Sequence, residues 1–401
     1  MLHRSPGPNL AARSWLVLGC MLLPAMLLAG CSSDNPPEWA GVQGDNKPAK
    51  LAEISEVAKV AERWHASIGD SGINQLRPAV TNDGVYGVSA NGELTRFDHM
   101  GKEIWRVASG LSVSGGVAGG GGVVVIGSDK GDVYAYDEDS KLRWKARVSS
   151  EVLSVAPVTD DVVMVRTGDG RITGLSIIDG KRIWVYEHTT PALVVRSHAA
   201  LAVQRGVAYA GFAGGRLTAI RIRDGEVLWE SFVSQPNGIT ELERINDITS
   251  DPVVDDDQVC AVAFQGRVAC FDLAQGNILW SRDISSDKGL ALAGKNLYLT
   301  DDKGSVFALD KATGGTVWKN DQLFMRRVTA PCAVGDFVVA GDYEGYLHIL
   351  NREDGKLIGR MQLLEEEQVS YTPIDIAPLP LDDGVLAATH GGELYSLTVR
   401  K

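Results

Sequence analysis

The sequence predicts an all-β fold: one eight-bladed β-propeller of four-stranded blades, the last blade closed by the N-terminal strand. Three observations carry this. Six segments align almost without gaps and end in tryptophan: VYGVSANGELTRFDHMGKEIW, VVVIGSDKGDVYAYDEDSKLRW, VVMVRTGDGRITGLSIIDGKRIW, VAYAGFAGGRLTAIRIRDGEVLW, VCAVAFQGRVACFDLAQGNILW and LYLTDDKGSVFALDKATGGTVW. Two more, FVVAGDYEGYLHILNREDGKLIG and GVLAATHGGELYSLTVRK, complete the set, with Gly359 in the tryptophan place of the first. A period of about 40 residues means a propeller or a solenoid, and the two ends of this array complement each other, which excludes an open solenoid.

Each copy contains a short β run, a turn ending in glycine, an alternating β run, a second turn and a final β run. The first-turn glycines are Gly92, Gly131, Gly170, Gly215, Gly266, Gly304, Gly345 and Gly392, one per copy, where a tight hairpin needs a positive φ. A further strand lies upstream, as in RPAVTNDG, APVTDDVV, SDPVVDDDQ and APCAVGD, with proline near its start where no ladder donor is lost. Strand one of each blade is expected to line a central channel and strand four the rim. The eighth copy ends without a fourth strand, while VAKVAERWHASIG stands as an orphan strand at the other end. Its Trp64 joins Trp105, Trp144, Trp184, Trp229, Trp280 and Trp318 as a rim tryptophan, and the closure removes a free sheet edge. Leu51 to Glu56 carry apolar residues at helical spacing and stay unassigned.

The chain divides into a signal peptide (1–30), a lipidated flexible tether (31–50) and the propeller (51–401). Arg4 and Arg13 precede an apolar run from Trp15 to Leu28, too short for a spanning helix and suited to an export signal. The run ends in Leu28, Ala29, Gly30 and Cys31, a lipobox in which Cys31 is acylated and becomes the first residue after cleavage. Cys20 belongs to the signal core. Ser32 follows the modified cysteine; in bacterial lipoproteins an aspartate there would retain the protein at the inner membrane, so the outer membrane is expected, with the body in the periplasm. Asn35, Pro36, Pro37, Gly41, Gly44 and Pro48 give the tether a disordered composition.

Formal net charge is −12, and residues 1–30 hold two arginines and no acid, which leaves 37 basic against 51 acidic groups, or −14. Such a surface repels phosphate backbones, so no nucleic-acid partner is expected. It also lacks a polybasic patch for anionic lipid. Three cysteines remain in the body, Cys260, Cys270 and Cys332. Cys260 and Cys270 flank one predicted hairpin; buried, unbonded small hydrophobes is the preferred reading, and a cross-strand disulfide the alternative.

No catalytic or metal site emerges, no cofactor is expected, and the chain is read as non-enzymatic. His65, His99, His188, His198, His348 and His390 never fall at metal-ligand spacing. Asp255, Asp256 and Asp257 sit between two strand patterns and read as solvated turn acids. SGGVAGGGGVVV lacks the Gly-Lys-Ser/Thr of a phosphate loop and leads into a strand. No nucleophile elbow is present.

Spacings between the turn glycines are 39, 39, 45, 51, 38, 41 and 47. The 45- and 51-residue intervals hold HTTPALVVRSHAALAV and FVSQPNGITELERINDITSD, both in connections from strand four of one blade to strand one of the next. Both loops should therefore sit side by side on one face, and loops longer than a turn requires are commonly functional. The 47-residue interval, with Glu365, Glu366 and Glu367, reads as a solvated acidic loop.

The rim strands DGKRIW and DGEVLW resemble the repeat of quinoprotein dehydrogenases, propellers that hold pyrroloquinoline quinone over calcium beside a pair of adjacent cysteines; this chain has no Cys-Cys step. The whole body more closely resembles the BamB family, lipoproteins of the outer-membrane β-barrel assembly machinery. The shared stretches are LLAGC, RWHASIG, TELERINDITSDPVV and VVAGDYEGYLHILNREDG. The resemblance implies a scaffold that docks on the POTRA domains of BamA within the BAM complex, with nascent outer-membrane β-barrel proteins as further partners. It also implies a Leu-x-Leu-Arg contact, matched here by Leu193, Val194, Val195 and Arg196, with valine replacing the second leucine. An Asp-x-Asp contact is matched by Asp247, Ile248 and Thr249, so only the first aspartate remains. Asp247 is expected to orient Arg196 or to meet a basic group of the partner. A periplasmic quinoprotein oxidoreductase and a structural propeller binding other envelope components stand as alternatives.

Overall fold

Every repeat becomes one antiparallel four-stranded sheet, and eight such sheets make the propeller. The computed structural model describes residues 47–363 and 372–401, so the signal peptide, Cys31, residues 31–46 of the tether and Glu365 to Glu367 lie outside the described residues. Lys47–Lys401 form one compact unit. Blades are numbered here in chain order, and the strands of a blade from one (innermost) to four.

Blade one runs through Ala79–Thr81, Gly84–Val88, Glu93–Phe97 and Glu103–Ala108. Blade eight takes three strands from the C-terminus and its fourth, Lys59–Ser67, from the N-terminal end. That strand runs antiparallel to Glu393–Arg400 from Lys59 opposite Arg400 to Ser67 opposite Glu393, with a bulge between Glu62 and Trp64. First strands of successive blades neighbour one another around the axis. Second strands are almost wholly buried, as in Val162–Thr167, because both of their faces pack on a neighbouring blade; this is why they read as continuous apolar runs.

The rim tryptophans dock blade on blade. Nε1 of Trp64, Trp105, Trp144, Trp184, Trp229, Trp280 and Trp318 donates to the carbonyls of His99, Glu138, Ile177, Ile222, Leu273, Lys311 and Arg352, each in the following blade, at 2.7 to 3.0 Å. A buried indole thus satisfies its single donor while its ring covers the neighbour's second turn. A glycine usually lies beneath the ring: a Cβ on Gly225 would stand 2.7 Å from Trp184.

Seven of the eight first-turn glycines hold the expected positive φ, from 71° at Gly215 to 89° at Gly392. Blade five departs from the expectation. There Gln265 takes the left-handed conformation, at φ 52°, and Gly266 does not. The Gly266 N–H still closes the turn onto the Ala263 carbonyl at 3.2 Å. Glycine serves close approach instead, since a Cβ would lie 2.7 Å from the Ala263 Cβ and 2.9 Å from the Ser234 Cβ.

A second correction concerns the cysteines. Cys260 and Cys270 are directly opposed in strands two and three of blade five and form a disulfide, with Cα atoms 4.1 Å apart. The unbonded reading fails because the turn register brings them face to face. Cys332 is free and buried. Residues 47–58 are not helical; Leu51 and Ile54 pack on the core between blades six and seven.

Candidate functional site

The two long connections are residues 188–201, between strand Arg182–Glu187 and strand Ala202–Gln204, and residues 233–252, between Val227–Phe232 and Val253–Val254. They lie against one another, as their placement in consecutive blades predicts. The Val195 N–H donates to Asp247 Oδ2 at 2.7 Å, the Ser197 hydroxyl to the Thr249 carbonyl at 2.8 Å, and the Ala200 N–H to Asp251 Oδ1 at 2.6 Å. The first loop, without regular structure of its own, is thereby fixed on the second.

Asp247 is the brace of this pair. Its other oxygen, Oδ1, accepts the N–H of Gly214 in the first turn of blade four at 2.9 Å, and its carbonyl accepts the Phe264 N–H in blade five at 2.8 Å. Most blades stabilise the first turn with a Ser, Thr or Asp at its start: Ser128 accepts the Asp132 N–H at 2.9 Å and Asp301 the Ser305 N–H at 2.7 Å. Blades four and five carry Phe212 and Ala263 there, which offer no acceptor. Asp247 reaches both turns from outside. Ile248 follows it into the core, with a Cβ on Gly211 falling 2.2 Å from its Cγ2.

The expected role of Asp247 is therefore corrected. It is buried and does not touch Arg196. Arg196 Nη2 instead reaches Glu151 Oε1 at 2.5 Å and Asn74 Oδ1 at 3.1 Å, on two other strand-four-to-strand-one connections of the same face. Thr249 contributes its carbonyl, and its hydroxyl is buried without a hydrogen-bond partner. The second acid of the segment is Asp251, which also pairs with Arg77.

Leu193, Val194 and Val195 are 41%, 39% and 37% exposed on this fixed backbone. The second loop offers Ile239 at 96% and Leu242 at 67% exposure. A capping box shapes the turn between them: Glu243 Oε2 accepts the N–H groups of Ile239 and Thr240 at 2.8 and 3.0 Å, while Thr240 Oγ1 accepts the Glu243 N–H at 3.3 Å. The two backbone N–H groups hold the Glu243 carboxyl below its ordinary range. The two loops thus expose apolar side chains among polar ones, chemistry suited to holding a protein surface.

A cleft of about 260 Å³ opens beside the first loop, lined by Arg166, His188, Val194, Val195, Phe212 and Asp247, among others. His188 stacks on Phe212 with centroids 4.6 Å apart, and Arg166 lies over the same ring at 5.0 Å. Burial lowers the pKa of His188 and of His198, whose Nδ1 faces the Leu153 carbonyl at 3.0 Å. Sequence reasoning missed Arg166; its only signal was one arginine inside the apolar run VVMVRT.

Elsewhere, the acids of 255–257 serve as ion-paired turn residues, Asp255 and Asp257 to Lys311 and Asp256 to Arg205. A larger cavity of about 700 Å³ lies on the channel axis and mixes Arg77, Lys288 and Arg327 with Asp251, Asp287 and Asp375. Among the described residues, no group of three His, Cys, Asp or Glu is arranged to hold a metal, and no helix is long and apolar enough to cross a membrane.

Comparison with known proteins adds four findings. Residues 90–320 match the family model described as outer membrane protein assembly factor BamB. The outer membrane protein assembly factor BamB of Nitrosomonas eutropha is 39% identical over 92% of this chain and 93% of its own length. The crystal structure of BamB from Moraxella catarrhalis superposes with a TM-score of 0.77 at 26% identity, covering 85% of this chain and all of that one. A europium-containing methanol dehydrogenase also superposes, at TM-score 0.67 and 14% identity over 82% of this chain and 84% of its own; a likeness at that identity speaks to the fold alone.

Proposed function

Since the chain belongs to the BamB family of outer membrane protein assembly factors, we propose that it serves outer-membrane protein assembly within the BAM complex as a non-catalytic scaffold, docked on the periplasmic POTRA domains of BamA. One observation carries the reading. Five apolar side chains, Leu193, Val194, Val195, Ile239 and Leu242, stand exposed on two loops whose backbones are laced together by Asp247, Ser197 and Asp251. Pre-fixed loops lose little conformational entropy on association, so their apolar contacts translate into affinity. Arg196, partly exposed at the edge of the patch, adds a charge whose carboxylate partner Glu151 it exchanges or shares on docking. Acylated Cys31 anchors the body at the periplasmic side of the outer membrane.

Co-purification tests this. The double variant Leu193→Asp with Val195→Asp, and separately Arg196→Glu, should lose BamA from affinity-purified lipoprotein while the melting temperature stays within a few degrees of the unsubstituted protein. Retained BamA in both variants sinks the assigned face.

A second role is favoured by the rim. The outermost strands keep Ile104, Leu142, Ile183, Val227, Ile278 and Val317 exposed beside an unpaired edge, the arrangement by which an extended segment adds a strand. Nascent β-barrel strands have that chemistry. Site-specific photocrosslinkers at Ile183 and Ile278 should capture newly exported barrel proteins; capture of BamA alone removes the second role.

A further inference from the structure

Two arginines are buried in this propeller, and they are treated differently. Arg326 gives Nε to Asp342 at 2.7 Å and a second contact to Glu344. Although burial by itself lowers its pKa, the two carboxylates keep it above the ordinary value. Arg166, 6% exposed, has no carboxylate in contact. Its Nη2 donates to the Gly211 carbonyl at 2.5 Å, and its Nε is buried with no acceptor. Burial pulls its pKa down to about 10, against a weak opposing pull from Asp251, which is already engaged by Arg77 and the Ala200 N–H.

A desolvated guanidinium without an anion costs several kcal/mol by the usual accounting, roughly 3–5 once a pair is broken. Within the core the guanidinium makes one hydrogen bond, to the Gly211 carbonyl. What distinguishes the position is the cleft that Arg166 lines together with Val194 and Val195, between blades three and four. The other carboxylates at this cleft are taken: Glu151 by Arg196, and both oxygens of Asp247 by the amides of Val195 and Gly214. The Phe212 ring lies 5.0 Å from the guanidinium carbon and gives no acceptor for its in-plane N–H groups.

We propose that this cleft is a carboxylate socket, in which Arg166 receives an aspartate or glutamate side chain of the protein docked on the 188–201 loop. The inference rests on the docking face of the preceding section and assigns the chemistry the partner must present there. Planar N–H donors freed of water and aimed from a buried site make the strong, charge-assisted form of hydrogen bond. The exposed apolar residues supply area, and the socket supplies register.

Two measurements test the socket. In protein labelled with ¹⁵N-arginine, titration with acetate should shift the Arg166 Nε–H resonance, whereas chloride at equal ionic strength should not; no acetate-dependent shift overturns the socket whatever the partner is. Binding to purified BamA POTRA domains should weaken roughly thirtyfold or more in Arg166→Met, the loss usual when one member of a buried charge pair is removed, while the melting temperature holds or rises. Neutralising each Asp and Glu of the POTRA domains in turn should find one whose loss is not additive with Arg166→Met. Unchanged binding in Arg166→Met, or strict additivity throughout, overturns the proposal. If the unsubstituted protein does not bind POTRA domains but acetate still shifts Arg166, the docking reading fails and the carboxylate site stands.

Discussion

At the scale of single residues, the features that matter are buried groups whose hydrogen-bond capacity is filled from a distance. Asp247 holds the N–H groups of Val195 and Gly214 and so ties its own loop to the 188–201 loop and to blade four. Asp247→Ala orphans both donors at about 1–3 kcal/mol each. We expect a loss of roughly 2–6 kcal/mol in denaturant unfolding on that basis, together with weaker partner binding even though Asp247 does not reach the surface. Equal loop protection in hydrogen exchange for variant and unsubstituted protein would contradict the bracing role. Cys332 gives a simpler case. Burial pushes its thiol up to about 12, so at pH 8 the thiolate fraction is on the order of one in ten thousand. Alkylation by iodoacetamide in native buffer should follow the rate of unfolding; a reaction complete within minutes there would refute that.

Elements show how much of this was legible from residues alone. The period, the turn glycines and the rim tryptophans are local requirements, of φ or of docking, and local requirements leave letters in the chain. Even the disulfide was within reach. First-turn register pairs Ala263 with Arg267 across the blade-five hairpin, and counting outward three places opposes Cys260 to Cys270. Arg166 and Asp247 were legible only as types, because their roles depend on which distant turn lacks a polar side chain and which guanidinium lacks a carboxylate. Gly359 belongs between the two cases. The repeat marks it as a missing tryptophan, but the reason comes from tertiary structure: a Cβ there would lie 2.8 Å from the carbonyl of Ala58, as the N-terminal segment crosses blade seven. For the disulfide, closing a ten-residue separation is worth about 2–3 kcal/mol by loop entropy. Cys260→Ala with Cys270→Ala should cost that much in urea unfolding, and equal midpoints with and without reductant would show the bond contributes nothing.

For the whole molecule, closure of the ring and attachment of the tether are one structural event. The chain meets the body where the Ala49 N–H donates to the Phe324 carbonyl at 2.9 Å and Arg326 Nη1 to the Ala49 carbonyl at 3.1 Å. Arg360 then holds the Ala52 carbonyl at 3.2 Å, and Val57 and Ala58 bond to the Ile358 carbonyl before Lys59–Ser67 completes blade eight. Arg326 and the 188–201 loop both lie in strand-four-to-strand-one connections, on one face. Arg326 keeps its position through a buried network in which Asp342 also meets His348 Nε2 at 2.8 Å. Burial alone would raise the Asp342 carboxyl, but His348 and Arg326 hold it below the ordinary value. A depressed carboxyl contributes stability above its unfolded pKa and loses it as pH falls through the folded one, so this contribution disappears only in acid. Stepwise truncation separates the parts. A protein beginning at Val57 keeps all eight blades but loses the Leu51 and Ile54 contacts and three hydrogen bonds, about 3 kcal/mol in sum, and should melt earlier as a monomer. One beginning at Ile68 exposes Glu393–Arg400 as a long open edge and should aggregate on size exclusion. Monomeric, cooperative melting of the shorter protein would mean that the ring does not depend on its N-terminal strand.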